Sequence, residues 1–128
     1  MTIPKTNDMR PEKQNLPMVS LILPVFNVAR YLAQCLDSLI AQDCHCSLEC
    51  ILIEDCSTDE SRIICQRYAA QYPELFQLLV NEKNAGVSIS RNRGLDRATG
   101  RYVMFVDPDD LLPTNSVRIM VSMAEDQK

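Results

Sequence analysis

Val19-Ser20-Leu21-Ile22-Leu23-Pro24 is a nearly continuous apolar run, and Glu49–Ile53 (ECILI) and Tyr102–Val106 (YVMFV) share its character. Short runs of this kind, rich in branched side chains, suit strands buried on both faces of a parallel sheet. Phe76–Val80 (FQLLV) reads as a weaker strand at the sheet edge.

Helical patterns fill the gaps. From Val28 to Ala41, Leu32, Cys35, Leu36, Leu39 and Ile40 recur at spacings of three and four, with Asn27 placed as the N-cap. Ser57-Thr58-Asp59-Glu60 reads as a capping box opening a second helix that stops before Pro73. Its inner face is expected at Ile63, Ile64, the Arg67 stem and Tyr68. A third helix is expected from Val87 to Ala98, closed by Gly100 at C′, and a fourth after Pro113, capped by Thr114. Strand and helix thus alternate. The expected fold is α/β: a Rossmann-like parallel sheet of about four strands with helices on both faces.

The composition of the 128 residues, 46% hydrophobic and 23% charged, is that of a globular domain. A formal net charge of −4 argues against nucleic acid as a partner. No apolar stretch approaches the ~18 residues that would span a bilayer. Residues 1–17 are polar, broken by prolines and without an apolar signal core, and are expected to be a flexible leader to a domain over 18–128. Six cysteines without a signal peptide read as reduced thiols of a cytoplasmic protein. Cys44, His45, Cys46 and Cys50 make a poor zinc set: the first two cysteines are too close and no second ligand pair exists.

Ligands of open α/β sheets bind beyond the carboxyl ends of the strands, where strand order reverses. The residues at those ends are Pro24-Val25-Phe26-Asn27, Glu54-Asp55-Cys56-Ser57 and Asp107-Pro108-Asp109-Asp110. Three aspartates within four residues repel one another unless a cation lies among them. Mg²⁺ and Mn²⁺ favour such carboxylates and share them with substrate phosphates. A solvated acidic turn is the competing reading. The first tip carries no glycine, which excludes a dinucleotide fingerprint or a Walker A loop. A receiver-like signalling domain would need an acidic pair where Pro24-Val25 stands.

Taken in order, four segments are similar to the donor-binding half of family 2 glycosyltransferases, which have the GT-A fold. Pro24-Val25-Phe26-Asn27 resembles P-x-Y-N, and Glu54-Asp55-Cys56-Ser57-Thr58-Asp59 resembles D-D-G-S-T-D. Asn84-Ala85-Gly86 and Ser90-Arg91-Asn92-Arg93-Gly94-Leu95 resemble N-x-G and A-R-N-x-G-L. Ala98-Thr99-Gly100-Arg101-Tyr102 through Asp107-Pro108-Asp109-Asp110 resembles A-T-G-x-Y-x-x-F-x-D-x-D-D. The resemblance implies that Pro24, Val25, Phe26 and Asn27 cup the nucleotide and that Asp55 bonds its base, usually uracil. It puts Arg91 near the base or diphosphate, with an ion pair to the strand-end aspartates as the alternative. It puts Asp109 near ribose and metal (Mg²⁺ or Mn²⁺), with Asp110 or Asp107 completing the metal contacts. Ser57, Thr58 and Asp59 suit helix capping better than ligand contact, and Asn92 and Gly94 suit packing of the third helix. Cys56 departs from the pattern, standing where glycine is usual.

The function implied is inverting transfer of a sugar from a nucleotide-sugar donor, a UDP-sugar, to a saccharide or lipid-linked acceptor. A non-catalytic nucleotide-sugar-binding module is the alternative. The family's catalytic base lies well downstream of the D-x-D. The stretch after Asp110 reads as one amphipathic helix, with Glu125 and Asp126 at its frayed end, so the base is expected beyond residue 128. The edge beside the last strand is then expected to be bare and apolar, favouring homodimers.

Overall fold

The structure is a computed structural model that describes residues 2–4, 18–44 and 46–126. Five strands form one sheet: β1 (Thr2–Pro4), β2 (Val19–Val25), β3 (Leu48–Glu54), β4 (Phe76–Val80) and β5 (Tyr102–Phe105). Their order is β1-β5-β2-β3-β4. The last four are parallel, and β1 runs antiparallel to β5. The helices are α1 (Ala29–Ile40), α2 (Ser61–Gln71), α3 (Val87–Arg97) and α4 (Ser116–Asp126). The chain steps outward from β2 to β3 and β4, then returns to place β5 on the other flank of β2. Strand order therefore reverses at β2, which puts the crevice between the tips of β2, β3 and β5.

Alternation along the strands explains the two layers. Leu21, Leu23, Val25, Cys50, Leu52 and Tyr102 pack with Leu32, Leu36, Leu39, Ile64 and Val117, so α1, α2 and α4 cover one face. Ile22, Ile51, Ile53 and Val103 pack with Leu95 of α3 and with Ala98 just after it on the other. The second layer is close-set. A Cβ on Gly94 would lie 2.5 Å from Ile22 Cγ2 and 2.9 Å from Ile53 Cδ1. Gly94 is thus the packing residue expected of the third helix, whereas Asn92 is exposed.

Several local expectations give way. Helix α1 is not capped by Asn27: its N-cap is Val28, with no side-chain cap of its own. Asn27 instead adopts φ 51°. Nor does Ser57 begin a capping box, since α2 starts at Ser61 with Glu60 as an N-cap that makes no such bond. On α2 the buried residues are Ser61, Ile64 and Cys65, while Ile63 is exposed and Arg67 points to solvent. Helix α3 ends in extended backbone at Ala98, so Gly100 is not its C′ residue. Glycine is needed there because a Cβ would meet Ser20 Oγ at 2.6 Å and Ser20 N at 2.7 Å. Helix α4 begins two residues after Thr114.

Most of the leader, residues 5–17, lies outside the described residues, as does His45. Thr2–Pro4 joins the sheet, with Thr2 opposite Met104 and Pro4 opposite Tyr102, so the flank of β5 expected to be bare is paired. Cys44 and Cys46 form a disulfide with Cα atoms 5.2 Å apart, departing from the expected reduced thiols. That separation lies within the range that permits a disulfide. Cys35, Cys50, Cys56 and Cys65 are free. No helix among the described residues is long and apolar enough to cross a membrane.

Replacing Gly94 by Ala should destabilise the domain by about 1–3 kcal/mol through overpacking against Ile22 and Ile53. Helix propensity alone would favour alanine by about 1 kcal/mol. Urea unfolding of the two proteins decides the sign.

Candidate functional site

Asp55 lies just past β3, 4% exposed, at the centre of the crevice. A buried carboxylate persists as an anion only when donors surround it. Its Oδ1 accepts from Asn81 Nδ2 at 2.9 Å and from the Ala85 N–H at 2.7 Å. Its Oδ2 accepts from the Gly86 N–H at 2.9 Å. Burial acts to raise the pKa of Asp55, but the bonds from Asn81, Ala85 and Gly86 outweigh it and hold the carboxyl below its usual range. Asn84 Nδ2 also donates to the Asp55 carbonyl at 3.3 Å. One side chain thus fastens the turn that leads from β4 into α3.

A second interlock joins the β2 and β3 tips. Asn27 Oδ1 accepts from the Thr58 N–H at 2.8 Å, and the Asn27 N–H donates to Ser57 Oγ at 3.0 Å. The Val28 and Ala29 N–H groups donate to Ser61 Oγ and Asp59 Oδ2, at 3.0 and 3.1 Å. The free amides at the start of α1 are therefore satisfied by the neighbouring loop rather than by a local cap. Asp59 serves both helices, its Oδ2 accepting from the Ala29 N–H of α1 and its Oδ1 from the Ser61 N–H of α2 at 2.8 Å, while Ser57 Oγ holds the Asn27 N–H just ahead of α1. Cys56 takes φ 59°, the left-handed backbone that glycine would adopt freely. Its Sγ donates to the Asn81 carbonyl at 3.0 Å. Buried Glu54 accepts from the Ser57 N–H at 2.8 Å and pairs with Arg62 Nε at 3.3 Å.

Between these loops is a cleft of about 290 Å³. Pro24, Val25 and Phe26 from the β2 tip, Asp55 from the β3 tip, Gly86 and Val87 from the start of α3, and Pro108 of the acidic turn line it. Its apolar side chains are partly open: Phe26 is 46% and Val87 52% exposed. Asn27 follows Phe26 with its side chain committed to the β3 loop.

The acidic turn follows β5. Asp107, Asp109 and Asp110 are exposed, and each offers a carboxylate oxygen within 4.8 Å of the others. The turn closes through the Asp110 N–H donating to the Asp107 carbonyl at 3.1 Å. Cys35 of α1 donates its thiol to the same carbonyl at 3.6 Å. Burial, reinforced by the charges of Asp110, Asp109 and Asp107, pushes that thiol up to about 12, so it remains a donor. Three exposed oxygen donors are the set a hard divalent cation prefers. Arg91 approaches from α3: Nη2 lies 4.0 Å from Asp107 Oδ1, and the guanidinium stands 5.5 Å from the centre of the Phe105 ring. Its Nε is buried and has no hydrogen-bond partner among the described residues. Glu125 is far from this turn in strand register, bonded by Tyr102 and Arg101 at the opposite, amino end of β5.

The structure therefore brings Pro24, Val25, Phe26 and Asp55 to one cleft, with Asp107, Asp109, Asp110 and Arg91 grouped beside Pro108. Asn81, Ser90 and Arg93 were not anticipated. Asn81 and Ser90 are buried, and Arg93 Nη1 reaches Asn81 Oδ1 at 2.7 Å. Asn81 is the residue following β4, so the same strand-end rule applied to the fourth tip would have found it.

Fold and site together define a Rossmann-like α/β domain of the GT-A class. The model of the glycosyl transferase family 2 matches residues 20–128, and the chain belongs to that family. It is 43% identical over 109 residues to the uncharacterized glycosyltransferase YibD of Escherichia coli, covering 84% of this chain and 31% of YibD. It is 38% identical over 110 residues to the minor teichoic acid biosynthesis protein GgaB of Bacillus subtilis, covering 85% of this chain and 12% of GgaB. Among solved structures, S. aureus TarS in complex with UDP-GlcNAc superposes with a TM-score of 0.75 at 29% identity, covering 84% of this chain and 31% of TarS. The mannosyltransferase PcManGT of Pyrobaculum calidifontis, in complex with GDP-Man and Mn²⁺, gives 0.68 at 29% identity, over 85% of this chain and 32% of that one. The chain thus spans a third or less of each of these proteins.

Because the folded-state pKa of Asp55 is depressed, its ionised form stabilises the fold above the unfolded value of about 3.9. That contribution is lost as pH falls through the lower folded value. Asp55→Asn should lower stability at pH 7 by about 1–3 kcal/mol and flatten the acid limb of a stability–pH profile. Chemical unfolding from pH 2 to 7 measures both, and an unchanged acid limb would refute the clamp.

Proposed function

We propose that these residues are the donor-binding half of an inverting glycosyltransferase, which moves a sugar from a nucleoside-diphosphate donor, a UDP-sugar, to a saccharide, lipid-linked or other hydroxyl acceptor. The observation that carries this reading is the acidic turn around Pro108 beside a cleft that the ionised Asp55 also lines. Support comes from the UDP-GlcNAc complex of TarS and the GDP-Man and Mn²⁺ complex of PcManGT, both similar to this chain.

In this reading Phe26 and Val87 receive the flat faces of the base, and Asp55 accepts a hydrogen bond from its ring N–H. The diphosphate extends past Pro108 towards Arg91, whose unpartnered Nε gains an acceptor when a phosphate oxygen arrives. Asp109, with Asp107 and Asp110, would hold Mg²⁺ or Mn²⁺, which supplies Lewis-acid stabilisation of the leaving diphosphate. The three aspartates orient that end of the donor through their fixed turn.

Deprotonating the acceptor hydroxyl falls to a group outside these residues. Of the carboxylates at the β3 and β5 tips, Asp55 is occupied by three donors and the acidic turn is committed to the donor end, while Glu125 sits at the opposite end of β5. We infer a cytoplasmic location, with attachment at the inner face of a membrane where the acceptor is lipid-linked.

Two outcomes are expected. In calorimetry, Mn²⁺ should strengthen UDP binding by about tenfold or more, equivalent to about 1.4 kcal/mol, and Asp109→Asn should remove that gain. Equal affinities in all three titrations would refute the metal role. In a coupled UDP-release assay across UDP-sugars, residues 1–128 should show no acceptor-dependent turnover, since loss of the base alone costs about 10²–10⁴-fold. Robust turnover would overturn the division of labour.

A further inference from the structure

The orientation of the Asn81 amide is fixed by its partners. Arg93 Nη1, which only donates, lies 2.7 Å from Asn81 Oδ1, and Asp55 Oδ1, which as an ionised carboxylate only accepts, lies 2.9 Å from Asn81 Nδ2. Exchanging the amide oxygen and nitrogen would break both contacts. Ser90 Oγ takes the second amide hydrogen at 3.0 Å. The backbone is pinned as well: the Asn81 N–H donates to the Glu54 carbonyl at 2.9 Å, and the Asn81 carbonyl accepts from Cys56. Asn81 is therefore a rigid donor aimed at one oxygen of Asp55.

The consequence lies in how the Asp55 lone pairs are used. Oδ1 takes two donors and Oδ2 one, so of the four in-plane acceptor positions of the carboxylate the free one is on Oδ2. Ala85 and Gly86 hold the carboxylate from one loop only, and Asn81 holds it from a second direction. We propose that Asn81 is a positioning residue for nucleobase selection: by holding the open Asp55 lone pair in one direction, it favours nucleoside diphosphates whose base presents a ring N–H, as uracil and guanine do, over cytosine, whose ring nitrogen presents a lone pair and whose neighbouring amino group is reached only if the carboxylate turns. The inference rests on the donor-site reading of the cleft.

Calorimetric titration of UDP, CDP and inorganic pyrophosphate into the 128-residue chain tests it, with Mn²⁺ present throughout. The wild-type protein should prefer UDP to CDP by about 30-fold, the scale of one hydrogen bond to a charged group. Asn81→Ala should reduce that preference to below about fivefold while leaving pyrophosphate within about twofold, a split that general loss of structure would not produce. All ligands are titrated into one preparation, so an unfolded fraction lowers the number of sites and not the ratio. Asn81→Leu, close in volume but lacking the donor and adding no charge, supplies the same comparison should the alanine variant not fold. An unchanged UDP preference in the variants, or a wild-type protein that binds UDP and CDP alike, overturns the role of Asn81 while leaving a nucleotide site. A wild-type protein that binds none of the three ligands overturns the donor-site reading, and this inference with it.

Discussion

The crevice depends on one buried carboxylate. Asp55 is placed at the end of β3 by backbone pairing with β2, since its N–H donates to the Val25 carbonyl at 2.9 Å. Left unpaired, a charge so buried would cost several kcal/mol. The chain meets that cost with donors drawn from the β4 tip and from the turn into α3. Satisfying Asp55 therefore ties down Ala85 and Gly86 at the start of α3, and with them residues that line the cleft.

The β2 and β3 tips obey a related constraint. Neither carries glycine, yet Asn27 and Cys56 both take positive φ. Such backbone is tolerated in side-chain-bearing residues when surrounding bonds over-determine it. Here Asn27 is held through both its amide oxygen and its N–H by the β3 loop, and Cys56 is tied through its thiol to the Asn81 carbonyl. The departure from glycine at Cys56 is thus accommodated by a bond that glycine could not make. The acidic turn is anchored in the same way, by the thiol of Cys35 from beneath.

The strands were legible because burial on both faces leaves little room for polar residues, as Val19–Pro24 and Glu49–Ile53 show. The four-residue spacing of Leu32, Leu36 and Ile40 likewise revealed α1, and the strand-end rule led to Asp55 and to the Asp107–Asp110 turn. What escaped was long-range. Ser57 and Asp59 satisfy the start of α1 across about 30 residues of sequence, a partnership that local capping patterns do not encode. Gly100 resembled a helix terminator, whereas its real constraint is the approach of Ser20 from another strand. On α2, Cys65 took the inward position expected of Ile63. Thr2–Pro4 offered too short and polar a segment to signal a strand, and its pairing is supplied by the exposed edge of β5.

The position of a bound donor nucleotide decides what the crevice is for. A crystal structure with UDP and Mn²⁺ bound is the most direct test. It should place the base between Phe26 and Val87 with a ring N–H on Asp55 Oδ2, the ion on Asp109, and a phosphate oxygen within reach of Arg91. UDP bound away from the β2, β3 and β5 tips, or a base oriented so that Asp55 touches only Asn81, Ala85 and Gly86, would contradict it.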